Sequence, residues 1–311
     1  MILLKRLTSQ PFIKSLVENP LFAGSSIVLA GSLFANFLNY LYHLVVGRLL
    51  PPSDYGLLES FIALTYFQGV VVQAFSLSTI KTINTVRKNE VRSAVTVLER
   101  KAWKASLIFW LISLLLLPVF IRFLQIPSPA LYLFFTVQFL LTFAPIVYNA
   151  TLQAKLKFWY LTIITVLVTV TKLVTGYLFV LFGWGVMGAL ASIIISSLVS
   201  LLIGWTLIVR SWPTEPDHKP FPLQFNFWAF SLFGLVTNLA LTSIYSTDLL
   251  LVRYFFSPFE TGIYSATSVL GKIIFFGASS ILTVTFPLFT KYRPSKEKLK
   301  KTYFRFFKKP K

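Results

Sequence analysis

Ionisable side chains that interrupt long apolar runs are the residues of this chain best suited to chemistry. Lys172, Asp248 and Lys272 each lie well inside such a run, where a charged group is costly and is therefore a candidate for function. The two ammonium groups could attract a diphosphate or an anionic sugar, with lysine acting as a point charge. Two structural interpretations compete: Lys172 could extend its stem to a membrane interface, and Lys272 could pair with Asp248.

Amide and imidazole side chains add further polar atoms to the apolar runs. Asn36, Asn39 and His43 follow helical i, i+3, i+7 spacing, so they share one helix face, and Asn238 lies in a later run. With nearby hydroxyls, they predict a polar cavity that could bond sugar hydroxyl groups. In the competing interpretation, such groups bond a neighbouring helix or their own backbone. His43 is expected either at the membrane interface or as a proton relay.

The elements that must position these residues are membrane-spanning helices. Hydrophobic residues make up 56% of the 311 and charged residues only 13%. A helix crosses ~30 Å of hydrocarbon with ~20 residues, and the chain repeatedly contains apolar runs of that length. We therefore predict an all-α polytopic membrane protein with about eight transmembrane helices. The predicted spans are residues 22–47, 56–80, 105–124, 130–150, 158–182, 186–209, 228–256 and 262–289.

The distribution of basic residues predicts the orientation of these spans. The formal net charge is +19, with 29 Lys and Arg residues. Among them, Arg48, Arg122 and Arg253 fall in the predicted outside connections, and Lys172 and Lys272 lie within spans. All the others fall in the segments on the opposite side, so the positive-inside rule predicts that both termini are cytoplasmic. The charge is thus explained by orientation and by anionic membrane lipids, and no nucleic-acid partner is predicted.

The sequence predicts no metal site, no cofactor and no enzymatic activity. The chain has no cysteine and only two histidines, His43 and His218, which are too few for a histidine metal cluster. The predicted outside connections are short, and their only acidic residues are Asp54 and Glu260. A membrane-embedded glycosyltransferase or polymerase generally needs carboxylates or a metal in a sizeable external loop.

A repeated turn motif organises the chain. The pattern Pro-x-acidic-x-Gly follows the first span and recurs after the seventh with the same internal spacing, and an arginine precedes each copy. The proline ends one helix, the acidic side chain can cap the next helix, and the glycine eases the turn. We predict that these residues form two hairpin turns or a gate on one side of the membrane. The first copy comprises Arg48, Pro52, Asp54 and Gly56, and the second comprises Arg253, Pro258, Glu260 and Gly262.

The repeat predicts how the chain is divided. Six spans separate the two copies, so both hairpins face the same side, and the last two spans begin a second lobe parallel to the first. A second lobe of equal size would need more residues than remain, so we expect either that the chain is a truncated or reduced version or that a partner supplies the rest. The predicted segments are an amphipathic cytoplasmic N-terminus (1–21), a six-helix lobe (22–209), a cytoplasmic linker (210–227), a partial second lobe (228–290) and a basic cytoplasmic tail (291–311).

Residues 47–59 and 248–266, which contain the two copies of the motif, resemble the corresponding hairpins of the polysaccharide biosynthesis proteins of the oligosaccharide flippase type. This family belongs to the multidrug/oligosaccharidyl-lipid/polysaccharide exporter superfamily. The resemblance implies a prokaryotic plasma (inner) membrane transporter that moves a polyprenyl-diphosphate-linked glycan across the bilayer by alternating access. It also implies polysaccharide-assembly proteins, or a second copy of the chain, as partners.

Two other functions remain open at this stage. A small-molecule or drug antiporter of the same superfamily would need a buried carboxylate for proton or sodium coupling. Glu59 is the only carboxylate within or bordering a span of the first lobe, and its position near a helix start predicts that it serves that helix terminus. A non-transporting assembly partner in polysaccharide export is the second alternative. The sequence does not identify the glycan, the coupling ion or the oligomeric state.

Overall fold

The computed structural model describes residues 20–212 and 227–273, and within these ranges the secondary structure is helical. The predicted N-terminal segment up to residue 19, most of the linker, the end of the eighth span and the basic tail lie outside the described residues. The helices are α1 (Pro20–Leu49), α2 (Pro52–Thr85), α3 (Val91–Leu115), α4 (Leu117–Phe123), α5 (Pro129–Leu140), α6 (Phe143–Ala154), α7 (Phe158–Phe179), α8 (Gly185–Ser211), α9 (Phe227–Phe255) and α10 (258–273).

The prediction of an all-α polytopic membrane protein is confirmed. Within the described residues, four helical segments are long and apolar enough to cross a membrane, or five if α3 and α4 form one bent span. One of the four, residues 158–211, contains α7 and α8, which pack against each other across the π-helical turn Val180–Trp184. Gly183 and Gly185 have φ angles of 85° and 54° in this turn, a conformation that glycine adopts without a Cβ clash.

Two prolines lie at breaks in the spans. Pro118 lies just after the break between α3 and α4, where the chain bends by 58°. Pro145 follows the break between α5 and α6 at Leu141 and Thr142, because its ring cannot accommodate the carbonyl of the residue four positions earlier.

The packing of the helices brings the two repeated hairpins to one end of the bundle. α1 lies against α7, α2 lies against α6, and α9 packs along α2. Consequently the turn from α1 to α2 and the turn from α9 to α10 meet, and we call this end of the bundle the hairpin end. One buried apolar cluster lies near it, around Phe61, Tyr132 and Phe135. A second lies toward the opposite end, around Phe75, Leu98 and Phe143.

Candidate functional site

A buried contact between an imidazole and a carboxylate joins the first two helices. His43 of α1 bonds through Nδ1 to the Glu59 carboxylate of α2, and the two side chains are 10% and 2% exposed. Tyr55, one turn before Glu59 on α2, also has its hydroxyl within hydrogen-bonding reach of the carboxylate. Glu59 therefore does not serve the helix terminus as the sequence suggested, and His43 points into the bundle rather than to an interface.

Lys172 of α7 points toward the same region. Its ammonium lies 4.4 Å from the centroid of the Tyr42 ring on α1, a cation–π contact. Tyr42 is fully buried, and its hydroxyl donates to the Ala189 carbonyl of α8 at 3.1 Å. Gly176 makes this arrangement possible, since a Cβ there would come within 2.6 Å of the Tyr42 ring. Lys172 is therefore held inward by packing, and not extended along its stem toward an interface.

Lys272 and Asp248 are near each other but are not a close ion pair. Asp248 of α9 accepts hydrogen bonds from the Tyr264 hydroxyl at 2.8 Å and from the Ser268 hydroxyl at 3.3 Å. The Lys272 side chain is buried, and its ammonium lies 6.0 Å from the centroid of the Tyr66 ring on α2. Within the described residues, the only ion pairs within 4.0 Å are His43–Glu59 and Arg92–Glu99. Among the described residues, neither lysine thus has a carboxylate within 4.0 Å, although Asp248 interacts electrostatically with Lys272.

These residues converge, and we call them the charged cluster: His43, Glu59, Lys172, Asp248 and Lys272. Both ammonium groups interact electrostatically with the single Glu59 carboxylate, although they come from α7 and α10. Tyrosine rings surround the cluster, and the Tyr66 and Tyr245 rings meet edge to face at 5.6 Å between α2 and α9. An ammonium held against ring faces, with no carboxylate in contact, can accept an anionic ligand without first breaking an ion pair.

The predicted amides are less clearly part of this site. Asn36, Asn39 and Asn238 are half-buried on α1 and α9. Asn36 and Asn238 have interaction partners within the protein. Gln68 also belongs to packing, because its amide donates to the Thr142 hydroxyl at the break between α5 and α6. The three asparagines therefore stay predictions as ligands for sugar hydroxyls.

An apolar cavity lies farther along α2, on the side of the charged cluster away from the hairpin end. Its volume is about 300 Å³. Val71 and Phe75 of α2, Phe109 of α3 and Leu235 of α9 are among its lining residues. Because α9 forms one wall and α2, α3 and α6 form the others, the cavity lies between the predicted lobes. Its lining suits a hydrocarbon chain or another apolar group.

The two repeated glycines pack the hairpins against each other backbone to backbone. A Cβ on Gly262 would lie 1.9 Å from the Pro52 carbonyl oxygen, and one on Gly56 would lie 2.7 Å from the Gly262 nitrogen. No side chain fits at either position unless the backbones separate. The two copies of the motif therefore interact directly, which their positions in the sequence did not reveal.

Arg253 reinforces the contact at the hairpin end. Its guanidinium donates from Nε to the Leu124 carbonyl at 2.7 Å and from Nη2 to the Gln125 carbonyl at 3.1 Å. Gln125 in turn donates its side-chain amide to the Tyr254 carbonyl at 3.3 Å, and the Phe123 and Tyr254 rings stack at 4.9 Å. Arg253 is 2% exposed, whereas Arg48 of the first copy is exposed. Only the second arginine joins the predicted lobes.

The acidic residues of the motif also differ in their contacts. Ser257 and Glu260 form a reciprocal capping arrangement: the Ser257 amide and hydroxyl donate to the Glu260 carboxylate at 3.0 and 2.7 Å. These donors lower the pKa of the Glu260 carboxyl by stabilising its charged form. In the first copy, Asp54 lies in the first turn of α2, but the cap residue Pro51 makes no side-chain bond. Pro258 begins α10 directly after Ser257, which suits its missing amide hydrogen.

Glu59 is the functional candidate that the sequence interpretation undervalued. A signal was present, because Tyr55, Glu59 and Tyr66 fall at i, i+4, i+11 spacing and thus share one face of α2. That face contacts α1 and α9 in the structure. Burial against two other helices could not be read from α2 alone.

Comparison with known proteins gives one family and several structural neighbours. The sequence model of a family described as "Polysaccharide biosynthesis protein" matches residues 45–309. No curated protein matches the chain. A solved structure named "protein A" matches at 14% identity and a TM-score of 0.68, covering 88% of this chain and 65% of its own. The described chain thus spans just under two thirds of that protein's length.

Two further structures carry functional names. One is the outward-facing conformation of a multidrug resistance MATE family transporter of the MOP superfamily, with 15% identity, a TM-score of 0.59 and coverage of 90% of this chain and 73% of that chain. The other is the MATE multidrug transporter DinF-BH in complex with R6G, with 13% identity, a TM-score of 0.60 and coverage of 90% and 67%. At such low identities the similarity establishes the fold alone.

Proposed function

Because the chain belongs to the polysaccharide biosynthesis protein family, we propose that it moves a polyprenyl-diphosphate-linked oligosaccharide across the membrane by alternating access. The observation that carries this proposal is the convergence of Lys172 and Lys272. The two ammonium groups come from distant parts of the sequence, both interact with Glu59, and neither has a carboxylate within 4.0 Å in the part of the chain that the structure describes. A diphosphate carries the negative charge that such a pair would attract.

Other groups near the two lysines could bind the sugar and the lipid of such a ligand. The aromatic hydroxyls near the charged cluster, and the predicted Asn36, Asn39 and Asn238, could bond sugar hydroxyl groups. The apolar cavity between α2, α3 and α9 could hold the first isoprene units of the lipid. Because the contacts at the hairpin end close the bundle there, a ligand would enter this conformation from the opposite end. We place the bundle in the plasma membrane of a prokaryotic cell. With the predicted topology, the end opposite the hairpins then faces the cytoplasm.

The test is flipping in proteoliposomes of a fluorescent undecaprenyl-diphosphate oligosaccharide, measured by bleaching of the outer-leaflet fluorophore. We expect the wild type to flip, and Lys172→Ala and Lys272→Ala each to lower the rate at least about tenfold, since each removes a charge that contacts the diphosphate. Lys104→Ala is the matched control, because Lys104 is an exposed lysine of α3 away from the cluster. Flipping by both cluster variants at the wild-type rate would contradict the assigned site, and absence of flipping by the wild type would contradict the function.

A second candidate function is favoured by one observation, the burial of Glu59. A small-molecule antiporter needs a carboxylate inside the membrane that can exchange a proton or a sodium ion, and Glu59 is 2% exposed within the bundle. Uptake of a fluorescent cationic dye into proteoliposomes, driven by an imposed pH gradient, tests this alternative. Dye uptake without glycan-lipid flipping would replace the first proposal with the second.

The same proposal includes partners that would lie against the second lobe and the outside of the bundle. A polysaccharide-assembly protein or a second copy of this chain would pack beside α9 and α10. Membrane lipids would cover the apolar faces of the helices. The mass of the purified protein in nanodiscs, measured by native mass spectrometry, distinguishes a single copy from a pair.

A further inference from the structure

The apolar cavity lies farther from the hairpin end than the lysines do. On α2, Val71 of the cavity comes five residues after Tyr66, whose ring lies near Lys272, which places it ~7.5 Å farther from the hairpin end. α9 gives the same order: Leu235 of the cavity comes ten residues before Tyr245, whose ring contacts Tyr66, and α9 runs toward the hairpin end. A ligand that occupied both sites would therefore hold its diphosphate nearer the hairpin end than its hydrocarbon chain.

Open space beside α2 lies between the two sites. Gly69 follows Tyr66 by three residues, so both lie on the same face of the helix. Among the described residues, no atom of a neighbouring element lies within 4 Å of a Cβ built on Gly69. Val71 leaves the helix about 200° farther round than Gly69, on the face that borders the cavity. A chain that passes from the lysines along Gly69 would thus reach the cavity by crossing between α2 and α9.

The cavity also opens toward the bilayer. Ile108 and Ile112 of α3 and Leu232 of α9 line it and are exposed on the surface of the bundle, Ile108 by 58% and Leu232 by 61%. The small side chains of Ala74 and Ala105 leave room between the larger ones. The lining residues that the structure describes are all apolar. A hydrocarbon chain could therefore continue sideways from the cavity into the lipid without crossing a polar surface.

We infer that the glycan lipid is bound in reversed orientation, with its diphosphate at Lys172 and Lys272 and its first isoprene units leading past Gly69 into the apolar cavity. The inference rests on the proposed function and adds the orientation of the bound lipid. In the leaflet at the open end of the bundle, a lipid has its phosphate at the membrane surface and its chain directed toward the hairpin end. In the bound state the chain is directed the other way. The lipid is thus inverted when it binds, before the hairpin end opens.

The test maps the position of the chain rather than its affinity, because lipid tails are as apolar as the cavity and the chain gains little by moving between them. The probe is a polyprenyl diphosphate that carries N-acetylglucosamine and a diazirine in the second isoprene unit from the diphosphate. It is irradiated with the full chain in nanodiscs, and the labelled residues are identified by mass spectrometry. We expect specific label, which an excess of unlabelled lipid removes, on the cavity residues Ile108, Ile112 and Leu232.

Gly69→Phe should remove the specific label from the cavity, because the ring would fill the space through which the chain passes. The variant should fold, since its Cβ meets open space and glycine is a poor helix former. Ala240→Phe is the matched control. Ala240 is an exposed residue of α9 that lies five residues from both Leu235 and Tyr245, and therefore on a different face of the helix. It should keep the wild-type label.

Lys272→Ala should also remove the specific label from the cavity, because the chain is positioned there by the diphosphate. If Gly69→Phe does not fold, as judged by size-exclusion chromatography, Ala105→Phe makes the same test from inside the cavity, and the label map of the wild type decides by itself.

The remaining outcomes separate the inference from the proposed function. Specific label at the hairpin end, on residues such as Phe123 and Tyr254, would show that the chain is directed toward that end and would overturn the reversed orientation. Cavity label that persists in Lys272→Ala or in excess unlabelled lipid would show that ordinary membrane lipid fills the cavity, and would also overturn it. Both results leave the proposed function standing if the wild type flips the glycan lipid. Absence of flipping and of specific label would overturn the proposed function and the inference together.

Discussion

Gly262 illustrates how a residue without a side chain can determine a contact. Its α carbon lies against the backbone of Pro52, and Gly56 completes the approach from the other hairpin. Arg253 and Gln125 add hydrogen bonds beside this contact, and Gln125 adopts a φ of 47° there, which is uncommon for a residue with a side chain. Individual residues at the hairpin end are thus fitted to a close approach of two helices.

We expect Gly262→Ala to destabilise the protein by about 1–3 kcal/mol, because the added methyl group would collide with the Pro52 carbonyl and backbone must move. The midpoint of thermal unfolding in detergent measures the effect. Gly271→Ala is the matched control in the same helix, since nothing lies within 4 Å of a Cβ built there. Equal midpoints for the two variants would show that the hairpins are not in contact.

At the scale of elements, helix ends and helix breaks follow local chemistry. Pro118 and Pro145 break the third and fourth spans, and the Ser257–Glu260 capping pair begins α10. The bond between Ser257 and Glu260 depends on pH. The folded protein lowers the pKa of the Glu260 carboxyl, so its stabilising effect is complete above the unfolded value of about 4.3 and is lost as the pH falls through the folded value.

We therefore expect the wild type to lose more thermal stability than Glu260→Gln when the pH is lowered from about 6 to about 3, because only the wild type must protonate a capping carboxylate. Asp54→Asn provides the comparison, since Asp54 occupies the same place in the first copy, where Pro51 makes no side-chain capping bond. Its pH response should match that of the wild type. A response of Glu260→Gln indistinguishable from that of the wild type would mean that the cap contributes no measurable stability.

The elements could be predicted from the sequence much more completely than the site. Continuous apolar runs indicate the spans, and prolines indicate where a helix can break, because each signal lies within a single helix. The role of Glu59 depends on His43, sixteen positions earlier along the chain, and on helices far away in sequence. Likewise the approach of Gly56 to Gly262 arises from tertiary packing. Their positions inside apolar runs identified Lys172 and Lys272 as unusual. The sequence did not predict that both would lie near the same carboxylate.

At the scale of the whole molecule, the hairpin end is where the first six spans meet the last two. The described contacts include the paired glycines, the bonds of Arg253 and the stack of Phe123 on Tyr254. The apolar cavity lies toward the other end. The proposed alternating access would require these contacts at the hairpin end to separate in each cycle.

We expect a thiol cross-link between Phe123→Cys and Tyr254→Cys to stop flipping and a reductant to restore it, because the link would hold the hairpin end closed. The chain has no cysteine, so a short reducible bis-thiosulfonate reagent would react only with the introduced pair. Phe120→Cys with Tyr132→Cys is the matched control, since these rings stack at 5.8 Å within the first six spans. That link should leave the flipping rate unchanged. Undiminished flipping by the first cross-linked pair would contradict an obligatory opening of this end.

The contacts of Lys155 with the end of α2 affect the order in which the protein can fold during synthesis. It belongs to the basic residues that predict orientation, yet its ammonium donates to the carbonyls of Ile83 at 2.9 Å and Val86 at 3.3 Å, at the C-terminus of α2. Partial burial there lowers the pKa of Lys155. The residue that contributes to the predicted orientation thus also caps the end of α2, and this cap can form only after α6 has been synthesised. A nascent chain that ended before that point would leave the carbonyls of Ile83 and Val86 without the Lys155 ammonium.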